Sequence, residues 1–376
     1  MSARPGAPRV LHIHANFAHD DPQARRCARL IDVFGGRLQH AVVSASGDFS
    51  SGEGLAKGIR IQRRSDFPAL GGLPLPGRLQ RIARALQDYD LVLTYGRGAI
   101  DAALAHTMFS KVHALPPLIH HEDGSDETPR QRRSARSKWY RRVGLGKAAG
   151  LVVPTETMEH AALVEWQQPL GRVKTIRDGV DLKRFTHAAK LDAIARLLKR
   201  PGESWVGCFA SPGSDNDAIA LVQAMERLAP EWHLVIVGAP LDGPVAAAVT
   251  QRGLDHRVHF TPKAIDRAAA LALFDIVVAV RGQELLPLAV IEAMATGCPV
   301  VVFESADVVQ ALGADNAGLL ASEPVIAALE RLAGDRYLRR RLGEANREKA
   351  VAERDEAAMI AAYRRLYSRA IGRDAI

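Results

Sequence analysis

The sequence predicts an α/β protein built from two doubly wound, Rossmann-like domains. Two observations lead to this class. Short apolar runs alternate with helical runs along most of the 376 residues, which is the pattern of parallel strands joined by covering helices. The length suits two domains of ordinary size. With 47% apolar and 24% charged residues, the composition is that of a globular chain and not a disordered one.

The first half supplies the predicted elements of one sheet. Apolar runs bounded by turn residues predict strands, and apolar spacings of three and four residues predict helices. The predicted strands cover 9–14, 40–44, 90–94, 117–120 and 150–154. The predicted helices cover 23–34, which ends at a Gly-Gly pair, 78–87, which follows a Gly/Pro-rich stretch, 99–109 and 156–166. These elements define a predicted domain over residues 1–180.

The second half repeats the alternation and defines a second domain, 181–352. The predicted strands cover 205–209, 233–238, 258–260, 275–279 and 300–303, with a helix over 217–228. A further helix begins near Leu288 and ends at Gly297, a C′-type glycine followed closely by Pro299. The last predicted helix begins at about residue 353, and residues 353–376 form a C-terminal segment.

Two carboxylates frame the start of the helix near Leu288. Glu284 lies in the loop after strand 275–279, and Glu292 follows after seven intervening residues, in the first turns of the helix. A carboxylate only accepts hydrogen bonds, so it can hold the hydroxyls of a sugar or a ribose. The turn formed by Leu285, Leu286, Pro287 and Leu288 begins a helix, where backbone N–H groups can face an anion. Two acidic residues placed only by the helix dipole are the alternative interpretation.

The run 281–302 resembles the E-x7-E signature of glycosyltransferase family 4, which has the GT-B fold of two Rossmann-like domains facing a central cleft. The likeness includes the Glu-Ala-Met-Ala tail and the Gly-x-Pro-Val-Val exit. Residues 172–185 resemble the interdomain junction of the same family. The resemblance implies that Glu284 contacts the sugar of a nucleotide-diphosphate donor and that Glu292 contacts its ribose. It also implies that segment 353–376 crosses back to the N-terminal domain.

The diphosphate-binding pattern departs from the family. Family members carry Gly-Arg-x-x-x-x-Lys-Gly after the first strand of the second domain, whereas Ser211 and Asn216 stand at the Arg and Lys positions here. Losing two charge-assisted contacts costs several kcal/mol, at roughly 1.5–3 each. Arg281 and Lys263 are the candidate replacement cations, and Gly238 is expected to line the same crevice at the carboxyl ends of the strands. An Arg281 that pairs with Glu284, or stays exposed on the loop, is the alternative.

The strand end His120-His121-Glu122-Asp123 resembles the acceptor side of the family. Together with Glu284, the residues His121, Glu122 and Asp123 are the candidate catalytic residues. A retaining enzyme would use the strand end to orient the acceptor, whereas an inverting enzyme would use Glu122 or Asp123 as a general base. A solvated loop after a strand is the alternative interpretation.

The first loop offers further acceptor contacts, namely His14, His19 and Asp20. The family commonly has Gly-Gly in this loop, so the resemblance is weak here. A core histidine at a strand end is the alternative for His14. The spacing of these residues matches no metal-ligand pattern. We therefore expect no metal and no other cofactor, with the nucleotide sugar as a substrate.

The net charge of +8 is concentrated in the first half. Residues 1–180 hold 26 Lys and Arg against 17 Asp and Glu, a net of +9, and residues 181–376 hold 24 against 25, a net of −1. This asymmetry favours an anionic partner on the N-terminal side. A basic run with aromatic residues suits an anionic membrane surface, although a solvated face is the alternative. The candidate membrane-facing residues are Arg130, Arg132, Arg133, Arg136, Lys138 and Trp139.

The sequence also bears on location. The N-terminal segment lacks an apolar leader, and no apolar run approaches the ~20 residues that span a bilayer. Three scattered cysteines fit a reducing compartment. We expect a cytoplasmic protein that can lie peripherally on the inner face of the cytoplasmic membrane. No nucleic-acid motif accompanies the basic run, so nucleic acid is not expected as a partner.

The resemblance implies a hexosyltransferase that moves a sugar from a nucleotide-diphosphate donor, with retention. The expected acceptor is a lipid-linked or envelope polysaccharide or a glycolipid. A catalytically weak or inactive GT-B homologue, acting as a binding or scaffold subunit of a partner transferase, is the alternative function. The missing Arg and Lys at Ser211 and Asn216 motivate that alternative.

Overall fold

The structure is a computed structural model. It describes residues 6–124, 134–186, 190–210, 213–263, 265–280, 286–303, 306–313 and 325–372. The chain divides into two compact units. Unit 1 comprises Met1–Arg177 and Met359–Ile376, and unit 2 comprises Asp178–Ala358. Each unit has its own sheet and its own hydrophobic core. This arrangement confirms the α/β class with two doubly wound folds.

Unit 1 contains a parallel sheet of seven strands among the described residues, in the order β3-β2-β1-β4-β5-β6-β7. The strands are β1 (Arg9–His14), β2 (Gln39–Ser44), β3 (Ile61–Arg63), β4 (Leu91–Tyr95), β5 (Leu118–His121), β6 (Gly150–Val153) and β7 (Val173–Thr175). Strand β1 pairs with both β2 and β4, so the strand order reverses between β1 and β4. Open α/β sheets bind ligands at such a switch point, outside the carboxyl ends of the strands.

Among the described residues, five helices follow these strands in the first part of unit 1. They are α1 (Pro22–Phe34), α2 (Pro76–Leu86), α3 (Ile100–Phe109), α4 (Ala135–Gly144) and α5 (Glu156–His160). Helix α1 begins sharply because Asp21 caps it by accepting a hydrogen bond from the N–H of Ala24, and Pro22 occupies the first turn. Its apolar face, including Cys27 and Ile31, packs into the core of unit 1.

Unit 2 contains five parallel strands in its described part, in the order β10-β9-β8-β11-β12. They are β8 (Ser204–Phe209), β9 (Trp232–Val237), β10 (Val258–Thr261), β11 (Ile276–Ala279) and β12 (Val300–Val302). The helices are α6 (Asp215–Met225), α7 (Pro244–Gln251), α8 (Arg267–Leu271), α9 (Leu288–Thr296), α10 (Ala306–Leu312), α11 (Val325–Gly334) and α12 (Arg336–Glu353). The switch point of this sheet lies between β8 and β11.

The last helix, α13 (Glu356–Ile371), contributes Met359, Tyr363 and Tyr367 to the core of unit 1. The sequence places the start of this helix at about residue 353, which is about three residues too early. The backbone N–H of Val180 donates to the carbonyl of Arg354, and the N–H of Glu356 donates to the carbonyl of Val180. This pairing holds the chain out of the helical conformation between α12 and α13.

Two of the described strands were not predicted from the sequence. Strands β3 and β7 have three residues each, which is too short for an apolar period to show. The helix predicted over 156–166 is also only partly correct, since its second half, Ala161–Glu165, is a π-helical turn. The other predicted strands occur within two residues of their expected limits.

Helix α9, which carries Glu292, is held in place by α12. Gly297 ends α9 in the left-handed conformation, with φ of 76°, as the sequence predicts. The carbonyl oxygen of Gly297 would lie 2.0 Å from a Cβ built on Gly343. One turn later, Asn346 donates from its side chain to the carbonyl of Cys298 at 2.8 Å. Only glycine at 343 therefore allows α12 to cross so closely over the end of α9.

Replacing Gly343 with alanine should destabilise unit 2. Alanine normally stabilises a helix interior by about 0.5–1 kcal/mol relative to glycine, but here the added methyl group meets backbone, and overpacking costs about 1–3 kcal/mol. Thermal unfolding should show a lower midpoint for Gly343→Ala. Gly334→Ala is the matched control, because nothing lies within 4 Å of its added Cβ. Equal midpoints for the two variants would contradict this packing.

Candidate functional site

Some of the predicted donor-binding residues lie at the carboxyl edge of the unit 2 sheet. The ends of β8 and β11 flank its switch point, where an open sheet is expected to bind its ligand. Of the predicted residues, Ser211, Arg281, Glu284 and Leu285 lie outside the described residues. Their roles stay predictions.

Glu292 is buried on α9 and makes an ion pair with Arg267, the first residue of α8. Arg267 donates from Nε at 2.6 Å and from Nη2 at 2.5 Å, both to Oε2 of Glu292. In the part of the chain that the structure describes, Oε1 accepts no hydrogen bond. The pair therefore fixes the orientation of the carboxylate and leaves one oxygen for a ligand hydroxyl.

An aromatic ring completes the environment of this pair. The Arg267 guanidinium carbon lies 4.1 Å from the ring centroid of Phe209, at the end of β8. A guanidinium over an aromatic face is attracted by the ring quadrupole. The Arg267 side chain keeps 31% of its surface exposed. Glu292 and Phe209 thus contact the Arg267 guanidinium on two sides, and its remaining surface faces solvent at the carboxyl edge of the sheet.

Arg267 is a residue that the sequence analysis missed. It follows Asp266, which caps α8 by accepting hydrogen bonds from the N–H groups of Ala268 and Ala269. That cap was the available signal for a helix start. The helix has only five residues, so no periodicity marks it, and nothing local connects Arg267 to Glu292, 25 residues later.

The remaining predicted donor residues lie in different parts of unit 2 and differ in exposure. Gly238 follows β9 with φ of 86°, and a Cβ there would lie 3.3 Å from the Cβ of Lys263, so these two predicted residues are neighbours. Lys263 is exposed, as is Asn216 in the first turn of α6. Leu286, Pro287 and Leu288 are half-buried, with Pro287 at the N-cap position of α9.

In unit 1, both predicted histidines at the end of β5 are buried. His120 Nδ1 lies 2.8 Å from Thr94 Oγ1. His121 uses both of its ring nitrogens: Nδ1 lies 3.3 Å from the Thr94 carbonyl oxygen, and Nε2 lies 3.0 Å from the Tyr367 hydroxyl. A proton transfer by His121 would therefore have to break contacts inside the core of unit 1.

Glu122 is buried against an arginine. Arg141 donates to its Oε2 from Nε at 2.8 Å and from Nη2 at 2.7 Å. Burial acts to raise the pKa of Glu122, but the Arg141 guanidinium and His120 outweigh it and lower the pKa to about 2. A carboxylate with so low a pKa is a weak general base at neutral pH. The neighbouring Asp123 accepts a hydrogen bond from Gln23 and lies 3.5 Å from the Arg26 guanidinium.

The first loop divides the predicted acceptor contacts. His14 is buried and stacks on Tyr95 with ring centroids 4.0 Å apart, as a core histidine at a strand end would. Its Nε2 has no hydrogen-bond partner among the residues that the structure describes. His19 and Asp20 are exposed. The contact of all three residues with an acceptor stays a prediction.

The basic run continues into α4. Arg136 is exposed, Trp139 keeps 59% of its surface exposed, and Lys138 pairs with Glu165 at 3.0 Å. Arg130, Arg132 and Arg133 lie outside the described residues. Over the described ranges, the helices are too short or too polar to cross a bilayer.

Unit 1 also buries a cluster of neutral histidines. His12 Nε2 lies 3.0 Å from His40 Nδ1. Burial lowers the pKa of His14 to about 3 and that of His40 to about 4. Burial and the neighbouring histidines hold the pKa of His12 well below its usual value. Among the described residues, no group of three histidine, cysteine or acidic side chains is placed to hold a metal ion.

These shifts predict that unit 1 is sensitive to acid. A histidine with a lowered pKa in the folded state takes up its proton first in the unfolded chain, so its contribution to stability is complete above about pH 6.5 and declines as the pH falls toward 4. Each additional proton bound by the unfolded state costs about 1.4 kcal/mol per pH unit. Thermal melts between pH 7 and 4 should show a falling midpoint.

Replacing His40 with glutamine should make that decline shallower, since one buried titrating group is lost. His19→Gln is the matched control, because His19 is exposed. The interpretation is wrong if the two variants have the same pH dependence.

Comparisons with known proteins identify the family and the fold. The family model described as "Glycosyltransferase Family 4" matches residues 23–184, and the one described as "Glycosyl transferases group 1" matches residues 204–335. A D-inositol 3-phosphate glycosyltransferase of Jonesia denitrificans is 30% identical over 192 residues, 46% of this chain and 45% of that protein. Its counterpart in Salinispora arenicola is 30% identical over 231 residues, 55% of this chain and 52% of that protein. The chain thus spans about half the length of the curated relatives it matches.

Solved structures share the fold over nearly the whole chain. Sucrose-phosphate synthase from Thermosynechococcus elongatus has a TM-score of 0.72 at 18% identity, covering 97% of this chain and 99% of that chain. The Anabaena protein Alr3699/HepE in complex with UDP has a TM-score of 0.72 at 16% identity, covering 96% and 100%. The two units have the GT-B fold, and the chain belongs to the family 4, group 1 glycosyltransferases.

Proposed function

We propose that this protein transfers a sugar from a nucleotide-diphosphate sugar to a hydroxylated acceptor, with unit 2 binding the donor. The observation that carries the proposal is the Arg267–Glu292 pair at the carboxyl edge of the unit 2 sheet. It presents a fixed carboxylate oxygen and a partly exposed cation beside the start of α9. A ribose hydroxyl and a diphosphate need such an acceptor and such a cation.

Arg267 is also a candidate replacement for the two phosphate-binding cations that family members carry and this chain lacks. Its guanidinium has five N–H donors, and Glu292 engages only Nε and Nη2. The donors that remain can serve a phosphate, with Lys263 exposed beside Gly238 as a second cation. Arg281 stays a candidate for the same role. The complex of the Anabaena protein with UDP supports a nucleoside diphosphate as the ligand.

Unit 1 is the proposed acceptor-binding half. The names of the curated relatives, which cite an inositol phosphate, support a polyol or glycan acceptor, and a lipid-linked or envelope glycan remains our proposal for the physiological one. Glu122 is held by Arg141 with its pKa lowered to about 2. An inverting reaction would need a general base at this strand end, so the low basicity of Glu122 favours a retaining reaction. The exposed Trp139 and Arg136 support peripheral contact with an anionic membrane.

The alternative function is a non-catalytic subunit of a partner transferase. Two observations support this alternative. Arg267 already occupies one oxygen of Glu292, and Asn216 stands where the family has a lysine. Turnover separates the two functions. Hydrolysis or transfer of any UDP-, GDP- or ADP-sugar by the purified chain excludes an inactive subunit, and it should proceed unchanged in EDTA because no metal is proposed.

Replacing Glu292 with glutamine should weaken nucleotide binding. The substitution removes the negative charge that orients Arg267 and replaces the carboxylate oxygen proposed to accept the ribose hydroxyl. We expect a loss of about tenfold or more in UDP, GDP or ADP affinity, corresponding to about 1.4 kcal/mol or more. Isothermal titration calorimetry measures it directly.

Glu344→Gln is the control for this substitution, because Glu344 lies exposed on α12 in a loose pair with Arg340 at 3.7 Å. Its affinity should match that of the unaltered protein. An unchanged affinity in Glu292→Gln would remove Glu292 from the site. Failure of all three nucleotides to bind the unaltered chain would argue against the donor role of unit 2.

A further inference from the structure

The loop that leads into α2 presents apolar side chains to solvent. Leu73 keeps 70% of its surface exposed and Leu75 keeps 60%, and the two residues flank the exposed Pro74. We call residues 73–75 the apolar tip. A single exposed leucine is ordinary, but exposed apolar side chains that are clustered in one short loop indicate an interaction site.

The apolar tip is folded in advance by one arginine. Arg78 donates from Nη1 to the carbonyl oxygen of Leu70 at 2.8 Å and from Nε to that of Leu73 at 2.9 Å. Its guanidinium also binds Asp101 on α3. The backbone N–H of Leu75 donates to the carbonyl of Leu73 at 2.8 Å, which closes a tight turn. A loop that is already ordered loses little conformational entropy when it binds a partner.

Helix α4 lies beside this loop. Pro74 of the loop lines one cavity of unit 1 together with Arg136 and Tyr140 of α4. The Tyr140 hydroxyl donates to Asp101, the same carboxylate that Arg78 binds. The loop, α3 and α4 are therefore joined through one aspartate, and the apolar tip and α4 belong to one surface.

The exposed face of α4 combines an aromatic side chain with cations. Arg136, Trp139 and Arg142 follow each other at intervals of three residues, so they lie on one face of the helix, and all three are exposed. Trp139 keeps 59% of its surface exposed. A tryptophan with an apolar body and one N–H donor suits the boundary between hydrocarbon and headgroups, and a guanidinium suits the lipid phosphates.

The charge of this surface selects the kind of partner. Residues 67–87 contain three Lys and Arg and residues 134–149 contain five, and neither segment contains an Asp or a Glu. Arg78, Lys138 and Arg141 have carboxylate partners from other elements, which leaves an excess of positive charge. Such a surface attracts an anionic partner. It disfavours a second copy of itself, because the like charges of the two copies would repel each other.

We propose that the apolar tip inserts into the headgroup boundary of an anionic bilayer, with Trp139 at the interface and Arg136 and Arg142 against the lipid phosphates. The inference rests on the proposed peripheral contact with a membrane and identifies the segment that enters it. The binding strength of an interfacial element depends on its buried apolar area and on its attraction to anionic lipids. The tip supplies the first contribution and α4 supplies the second.

Sedimentation of the full chain with lipid vesicles tests the tip. The unaltered chain should bind vesicles of phosphatidylcholine mixed with phosphatidylglycerol, and added salt should weaken this binding. The double variant Leu73→Ser and Leu75→Ser should lose about tenfold or more in the partition coefficient, because it buries less apolar surface in the bilayer.

The matched control removes two leucines of equal exposure from other parts of the chain. Leu170 is 72% exposed and Leu198 is 61% exposed. The double variant Leu170→Ser and Leu198→Ser should keep the partition coefficient of the unaltered chain within about twofold. If both leucine variants lose binding equally, the apolar tip is not the inserted segment.

Tryptophan fluorescence reports on the interface directly. The chain has four tryptophans, and Trp166, Trp205 and Trp232 are buried whereas Trp139 is exposed. Anionic vesicles should therefore shift the emission of the unaltered chain to shorter wavelength through Trp139. Trp139→Tyr should abolish the shift. A shift that persists in this variant would contradict the placement of Trp139 at the interface.

A charge-removing pair of variants tests the role of α4. Arg136→Gln with Arg142→Gln should abolish the preference for vesicles that contain phosphatidylglycerol over phosphatidylcholine alone. The control is Arg60→Gln with Arg184→Gln, which removes two exposed charges outside this surface and should keep that preference. An equal preference in the two pairs would overturn the assignment of the arginines.

Nucleotide binding separates this inference from the proposed function. Affinity for UDP should be equal in the unaltered chain and in the Leu73→Ser, Leu75→Ser variant, because the donor residues lie in unit 2. UDP binding without vesicle binding would overturn the inference and leave the proposed donor role intact. Light scattering that shows dimers only when the two leucines are present, without vesicle binding, would overturn it too and assign the tip to a second copy.

Discussion

At the carboxyl edges of both sheets, a buried carboxylate is neutralised by an arginine. Glu122 has Arg141, Asp101 has Arg78, and Glu292 has Arg267. Transferring a lone charge out of water is costly, and removing one member of a buried pair costs about 3–5 kcal/mol. The cost is lower where the side chain reaches solvent, as at Arg267. Each arginine therefore fixes the direction of its carboxylate, and each pair joins two separate segments of the chain.

These pairs determine which charges remain for ligands. In unit 1 the pairs Glu122–Arg141 and Asp101–Arg78 cancel each other's charge near the switch point of the sheet. In unit 2 the pair leaves one carboxylate oxygen and part of one guanidinium beside α9.

Sequence patterns predicted the elements with strong local signals. The helix carrying Glu292 ends at Gly297 as predicted because a left-handed glycine before Cys-Pro is a local property of the chain. The buried parallel strands were predicted from their apolar runs. The ion pairs could not be found in this way, since Arg78 meets Asp101 after 23 residues and Arg267 meets Glu292 after 25 residues. The burial of His121 likewise depends on Tyr367, 246 residues away, so its strand end suggested an open polar site.

The central claim is that a nucleoside diphosphate binds unit 2 at the Arg267–Glu292 pair. Hydrogen–deuterium exchange of the full chain, with and without saturating nucleotide, tests it most directly because it reports on every segment at once. We predict slower exchange in the segment from β10 through α8 and in the first turns of α9, with the core strands of unit 1 unchanged. Protection confined to unit 1, or no protection around Arg267 and Glu292 at saturation, would contradict the claim.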